Sequence, residues 1–284
     1  MIYLVFSVLS STAIFVLFKL FSKYKIDTLQ AIVVNYATAF SFGIIFNDTP
    51  IEVTEIIHTS WFLAAVGLGF LFIAIFYVMA LTSQKNGLSV ASVASKMSLI
   101  VPVIFGIYVH NESTELQKLI GIALALVAVY LTSIKPKDDA VITKSIYLPV
   151  ILFLGSGIID TSVNHFAPKG SIPLFLSSIF GIAAIIGIGL FIYKSMVNKN
   201  PIQLKSIPFG FFLGVVNYGS MYFLLRALRV ENTESSTIFT INHIAILALS
   251  TLVGLVLFKE HISQKNWLGI FFAFIAIALV TLAQ

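Results

Sequence analysis

The chain alternates long apolar runs with short polar connections. Runs long enough to cross about 30 Å of hydrocarbon, roughly 20 residues each, fall at about Tyr3 to Phe21, Leu29 to Phe46, Ser60 to Leu81, Leu88 to Val109 and Leu116 to Ile134. Five more lie at about Tyr147 to Phe166, Ile172 to Tyr193, Ile207 to Leu228, Ser235 to Phe258 and Trp267 to Ala283. The pattern predicts an all-α polytopic membrane protein of ten transmembrane helices. The longest connections, Asn47 to His58 and Lys135 to Lys144, leave no room for a soluble domain. The first run lacks a basic stretch before it and a small-residue cleavage site after it, so it reads as a retained helix rather than a signal peptide. The expected location is the cell inner (plasma) membrane, as a multi-pass protein.

Composition agrees. Of 284 residues, 58% are hydrophobic and 10% charged, against about 25% charged in ordinary soluble domains, and the mean hydropathy is +1.01. The net charge of +5 does not point to nucleic acid, because the lysines fall one to three at a time between apolar runs rather than along one stripe. There is no cysteine, hence no disulfide framework, thiolate nucleophile or thiolate metal site.

The two halves of the chain repeat one frame. Gly106, Glu112, Gly121 and Ile122 recur as Gly254, Glu260, Gly269 and Ile270, all at an offset of 148. Ala80-Leu81 recurs as Ala227-Leu228 at an offset of 147. Shared apolar composition explains matches of Leu and Ile but not a Gly-x5-Glu-x8-Gly frame at fixed spacing. The frame predicts a duplication, residues 1–138 and 139–284, of five helices each. An odd helix count makes the second unit enter the membrane from the opposite side, giving the two inverted five-helix repeats found in secondary transporters.

On Pro102 through Gly121, Ser250 through Gly269, and the two Ala-Leu pairs, the chain resembles the EamA-type members of the drug/metabolite transporter superfamily. The resemblance implies a central cavity between the halves, lined by helices 1, 3, 4, 6, 8 and 9, with helices 5 and 10 peripheral. It departs at Pro102, whose place in the second half is taken by Leu249 and Ser250.

Ionisable groups at membrane depth are few. Eleven of the twelve acids lie in connections or at helix ends, leaving Asp160; of the seventeen Lys and Arg, only Lys96 is near mid-span. A charge there costs about 2.5–3.5 kcal/mol on insertion scales, so such residues face a wet cavity or each other. The alternatives are a substrate cavity and a structural ion pair stapling helices 4 and 6. Polar neighbours at helical spacing favour the cavity: Ser156, Asp160 and Asn164; Ser89, Ser92 and Lys96; Tyr218, Tyr222 and Arg226; Ser236, Thr240 and His243, with Asn242 adjacent. The expected site is a cationic wall of Lys96 and His243 opposite Asp160, further lined by Asn164, Tyr77, Asn217, Tyr218, Tyr222 and Asn242. Arg226 is either a second anion contact or a flanking charge reaching the interface. Glu112 and Glu260 read as helix-start acids. The glycines from Gly181 to Gly189 read as close helix packing.

One anionic and one cationic group suit an amino-acid-like zwitterion or small organic anion, moved by alternating access with proton coupling or exchange, export included. A channel or scaffold is the alternative. An intramembrane hydrolase fits less well: there is no second membrane carboxylate, no H-E-x-x-H and no G-x-S-x-G. No enzyme activity, metal or cofactor is expected. The expected partners are the small-molecule substrate and the lipid bilayer, with a homo-oligomer left open. Twelve Lys/Arg flank the helices on one side and four on the other; the positive-inside rule then places both termini outside, whereas the resemblance implies both inside.

Overall fold

The computed structural model describes residues 2–47, 56–101, 104–105, 116–133, 147–168, 172–198, 201–228 and 235–282. Ten α-helices follow one another through them: α1 (Ile2–Lys23), α2 (Thr28–Ile45), α3 (Phe62–Lys85), α4 (Leu88–Met97), α5 (Leu116–Ser133), α6 (Tyr147–Phe166), α7 (Ile172–Asn198), α8 (Ser206–Leu228), α9 (Ser235–Phe258) and α10 (Gln264–Leu282). Six are long and apolar enough to cross a membrane. All but α4 expose large apolar side chains outward, among them Leu63, Leu154, Ile158, Ile185 and Leu257. In water that surface would be penalised at about 25 cal/mol per Å²; in hydrocarbon it is not. The protein is a helical membrane protein.

The segment expected from Leu88 to Val109 differs from a single helix. Regular α-helix ends at Met97, one residue past Lys96, and Ser98 and Leu99 form a turn in which Val101 N–H donates to the Ser98 carbonyl at 2.9 Å. The presence of proline at 102 accounts for a break, because proline has no N–H to donate to the carbonyl four residues before it. Residues 102–103 themselves, with Gly106 and Glu112, lie outside the described residues. No residue of α4 is exposed, so this short helix is the innermost of the ten.

Small residues set the close crossings. Gly210 and Gly214, one turn apart on α8, form a G-x-x-x-G stripe against α2. A Cβ at Gly210 would lie 2.5 Å from the Ala31 carbonyl, and one at Gly214 2.6 Å from that of Asn35. In the glycine run of α7, Gly181 meets Phe40 and Gly187 meets Val33 and Ile73, whereas Gly189 has nothing near it. Packing is therefore the reason for two of these three glycines.

Helix pairing falls into matched sets. α5 packs on α10 and α2 on α7; α1 on α8 matches α3 on α6; α2 on α8 matches α3 on α7; α1 on α9 matches α4 on α6. A main core of Phe18, Phe21, Tyr36, Phe76, Phe175 and Phe180 lies among α1, α2, α3 and α7. Phe18 meets Phe76 edge-on at 5.0 Å, and the buried Tyr36 hydroxyl donates to the Phe72 carbonyl at 2.8 Å. A second core of smaller side chains joins α4 and α9 to the α5–α10 pair.

Several lysine-bearing ends meet on one face. Lys205 Nζ donates to the Tyr24 carbonyl at 3.1 Å, Lys194 lies 3.9 Å from Asp27, and Lys19 pairs with Glu260 at 3.1 Å. Gln30 and Gln203 clasp the same face: Gln203 N–H donates to Gln30 Oε1, and Asp27 N–H to Gln203 Oε1, each at 2.7 Å. We refer to this as the lysine-rich face.

Candidate functional site

One cavity of about 150 Å³ lies in the middle of the bundle. A water needs at least about 10–15 Å³ of such space, so the cavity has room for several waters. Among the described residues its lining comes from α1 (Ser11, Phe15), α3 (Phe72, Phe76), α4 (Ser95, Lys96), α6 (Ser156, Asp160), α8 (Asn217, Ser220) and α9 (Asn242), among others, and from no other helix.

Helical periodicity explains how α6 supplies two of these groups. Val150, Leu154 and Ile158 follow i, i+4, i+8 along its exposed apolar side, while Ser156 and Asp160, also four apart, line the cavity. Gly157 lets the end of α4 come close: a Cβ there would lie 2.9 Å from the Ser98 carbonyl. As a result the Ser98 hydroxyl sits 3.2 Å from Asp160 Oδ2 and 2.5 Å from the Ser95 carbonyl, its one proton shared between two acceptors. Asp160 is itself exposed to the cavity.

The Lys96 side chain shares that cavity but makes no hydrogen bond or ion pair among the described residues, and none joins it to the Asp160 carboxylate. A structural staple requires contact within about 4 Å. Instead, two opposite charges stand apart in one space, Lys96 half-buried and Asp160 open. Ser156 Oγ, in a residue only 7% exposed, is buried on this lining without a hydrogen-bond partner among the described residues.

Two amides complete the polar lining, each held at one end by the protein. Asn242 Oδ1 accepts from the Ser7 hydroxyl at 3.1 Å, and Asn217 Nδ2 donates to Asn35 Oδ1 at 3.2 Å. With one end fixed, the other end of each amide is left to the cavity. The remaining wall is apolar, from Phe15, Phe72, Phe76, Ile75, Met79 and Leu224.

Of the expected site residues, the structure therefore brings together Lys96, Asp160, Asn217 and Asn242. His243 is buried on α9 but does not line the cavity; successive helical positions diverge by about 100°, and Asn242 takes the inward direction. It is not the second cation of a wall with Lys96. Tyr77 is half-buried against the main core and is likewise absent from the lining. Tyr218, Tyr222 and Arg226 share a face as their spacing requires, but that face meets the end of α2. Tyr218 and Tyr222 stack at 5.7 Å, Phe46 stacks on both at 5.9 Å, and the exposed Arg226 lies 5.3 Å over the Tyr222 ring with its Nε donating to the Tyr222 hydroxyl. This is a cation–π ladder at a helix end, separate from the cavity. The side chains of Asn164, Ser236 and Thr240 lie outside the described residues.

Sequence reasoning passed over Ser98, Ser7 and Ser11, whose hydroxyls are common interhelical glue, and the phenylalanine wall, whose residues look like any lipid-facing aromatic. It also passed over Glu260 as anything more than a helix-start acid. Glu260 Oε1 accepts from Leu88 N–H at 2.7 Å, capping α4 from 172 positions away along the chain. The repeated Gly-x5-Glu frame was the signal available for it. Among the described residues, no cluster of His, Cys, Asp and Glu could hold a metal ion.

Fold and site together define a helical membrane protein with a charged cavity, large enough for several waters, inside its bundle. The chain belongs to the same family as an uncharacterized protein of Haemophilus influenzae, to which it is 31% identical over 284 residues, covering 96% of this chain and 95% of that one. No family model matches the chain. A solved structure described as "Crystal structure of protein" is similar at a TM-score of 0.50 and 15% identity, covering 97% of both chains, which is a likeness of fold alone.

Proposed function

We propose that this protein is a secondary active transporter of a small metabolite, working by alternating access around the Lys96–Asp160 cavity. The observation that carries the reading is that cavity: two opposite charges at membrane depth, unpaired with each other, in a space lined by helices from both halves of the chain. Charges in hydrocarbon are costly, and here they are spent on an accessible space rather than on each other. The six lining helices are those that the resemblance to EamA-type transporters implies, and α5 with α10 stand aside from them.

The matched helix pairings support ten spans arranged as two inverted repeats, because exchanging α1–α5 with α6–α10 maps each matched pairing onto another. They are not fully equal. α3 packs on α1 and α2, whereas α8 makes no comparable packing with α6 or α7 among the described residues. Two halves with the same elements in unequal packing are what an alternating-access protein holds in one of its two end states. The inner (plasma) membrane is the proposed location.

The chemistry of the lining names the substrate class. Lys96 offers an ammonium to a carboxylate or other anionic end, Asp160 a carboxylate to a cationic end or a proton, and the two amides orient what lies between. The phenylalanine wall accommodates an apolar portion. An amino-acid-like zwitterion meets all three; a small organic anion meets the first.

Solute-dependent thermal stabilisation tests this. A solute at about a hundred times its Kd adds ~2.7 kcal/mol of stability, enough to raise the melting midpoint by several degrees. Zwitterions or small anions with an apolar portion should do so, and their uncharged analogues should not. A panel in which only uncharged solutes stabilise the protein would contradict the assignment.

A further inference from the structure

A second cavity, of about 350 Å³, opens at the lysine-rich face, lined by Lys19, Lys85, Ser89, Glu260, His261 and Asn266 among others. Helix α4 runs between the two cavities. Ser89 lines the second, Ser95 and Lys96 line the first, and Ser92, fully buried, sits between them with its hydroxyl donating to the Ser89 carbonyl at 2.9 Å.

At the second cavity the Glu260 carboxylate sits on the start of α4. Oε1 accepts from Leu88 N–H at 2.7 Å and lies 3.1 Å from Lys19 Nζ; Oε2 accepts from Ser89 N–H at 3.3 Å and from the Ser89 hydroxyl at 3.2 Å. All of these donors belong to the first half of the chain, and the carboxylate to the second. A helix start leaves its first N–H groups without intrahelical partners and carries partial positive charge. Gly87, at φ 109, has no side chain with which to cap α4.

The seat is shaped for this group. A Cβ at Gly87 would lie 3.1 Å from Oε1, and one at Gly254 only 2.8 Å from Oε2. The Gly254 carbonyl accepts from Glu260 N–H at 3.0 Å, which fixes the turn that delivers the side chain. The Gly-x5-Glu spacing of the repeat thus has a steric reason in its second copy.

We propose that the second cavity is the opposite mouth of the transport path and that Glu260 is its gate. With the carboxylate seated, the halves are tied across the path and Ser92 is sealed. With it withdrawn, the Ser89–Ser92 stripe leads from the Lys96 cavity to the lysine-rich face. Both partners border a cavity wide enough for water, with side-chain exposures of 23% for Lys19 and 11% for Glu260, so each has solvent to turn to when the contact opens. The proposal rests on the transport reading above, and adds to it where the barrier lies and which residue forms it.

The absence of cysteine makes the barrier directly measurable. Ser92→Cys is placed alone, and its labelling by a membrane-impermeant maleimide is timed from each face, using intact cells and inverted vesicles. Labelling rate follows the open population, so loss of a charge-assisted contact should raise it about tenfold or more. Glu260→Ala is expected to give that rise at Ser92→Cys from the lysine-rich face, and to slow labelling of Ser156→Cys from the other face. Lys19→Met, which removes the ion pair but leaves α4 capped, should shift both rates in the same directions by less, and it decides the matter if Glu260→Ala does not accumulate. Unchanged rates at both positions in the accumulating variant would overturn the gate. The assay uses no substrate, so its failure alongside intact substrate exchange removes the gate and leaves the transporter.

Discussion

Replacing Lys96 with methionine is expected to leave insertion and folding intact while reducing transport efficiency by roughly thirtyfold to a few thousandfold. The two effects have opposite physical origins. The Lys96 side chain makes no hydrogen bond or ion pair among the described residues, so the fold loses no partner with it, and removing a charge from membrane depth relieves an insertion cost of ~3 kcal/mol. Transport loses much more. Truncating one member of a buried charge pair between protein and ligand typically costs about 2–5 kcal/mol, because the other charge is left desolvated, and each ~1.4 kcal/mol is a factor of ten. Uptake into proteoliposomes, with the reconstituted amount matched to wild type, measures the ratio. Wild-type rates in an inserted Lys96→Met protein would remove the lysine from the site.

Replacing Asp160 with asparagine is expected to abolish gradient-driven accumulation while exchange of labelled for unlabelled substrate continues. Asparagine keeps the size of the side chain and an oxygen to accept from the Ser98 hydroxyl, which now lies 3.2 Å from the carboxylate, but it can neither bind nor release a proton. Asp160 is the carboxylate that borders this cavity, so coupling passes through it on the transport reading. The competing account is a staple with Lys96, and it makes a different forecast. A staple broken at Asp160 leaves a buried ammonium unpaired at a cost of about 3–5 kcal/mol, and removing that ammonium too should restore stability and transport. The separation of the two side chains in the structure argues against this, so the double variant Asp160→Asn, Lys96→Met is expected to stay inactive. Its recovery would show the pair to be structural.

The helical membrane character was legible because hydrocarbon leaves a helix few alternatives; α6 and α9 begin and end where the apolar runs do. The end of α4 was not, because hydropathy continues unbroken from Met97 into Leu99 and Ile100. It does not register that the regular helix stops at a turn whose Ser98 hydroxyl reaches the Ser95 carbonyl and Asp160. Lys96, Asp160, Asn217 and Asn242 stood out because charges and amides are expensive in lipid and need a reason. Spacing gave Tyr218, Tyr222 and Arg226 a common face but could not say that its neighbour is Phe46 rather than the cavity. Nor could it choose between the adjacent Asn242 and His243. Phe15, Phe72 and Phe76 were invisible as walls, since an aromatic ring facing a cavity and one facing lipid are the same letter.

The central claim, that the Lys96–Asp160 cavity carries one substrate at a time between two alternately open mouths, is tested most directly by counterflow. Proteoliposomes are loaded with an excess of a zwitterion or small anion selected by thermal stabilisation, then diluted into a trace of the same compound carrying a radiolabel. A carrier returns its site loaded from the inside and recaptures label on the outside. The account predicts a transient accumulation of label above its external concentration, present with wild-type protein and absent with Lys96→Met. Label that rises only to equilibrium, at a rate indifferent to the internal load, would mark a continuous pore and contradict the account.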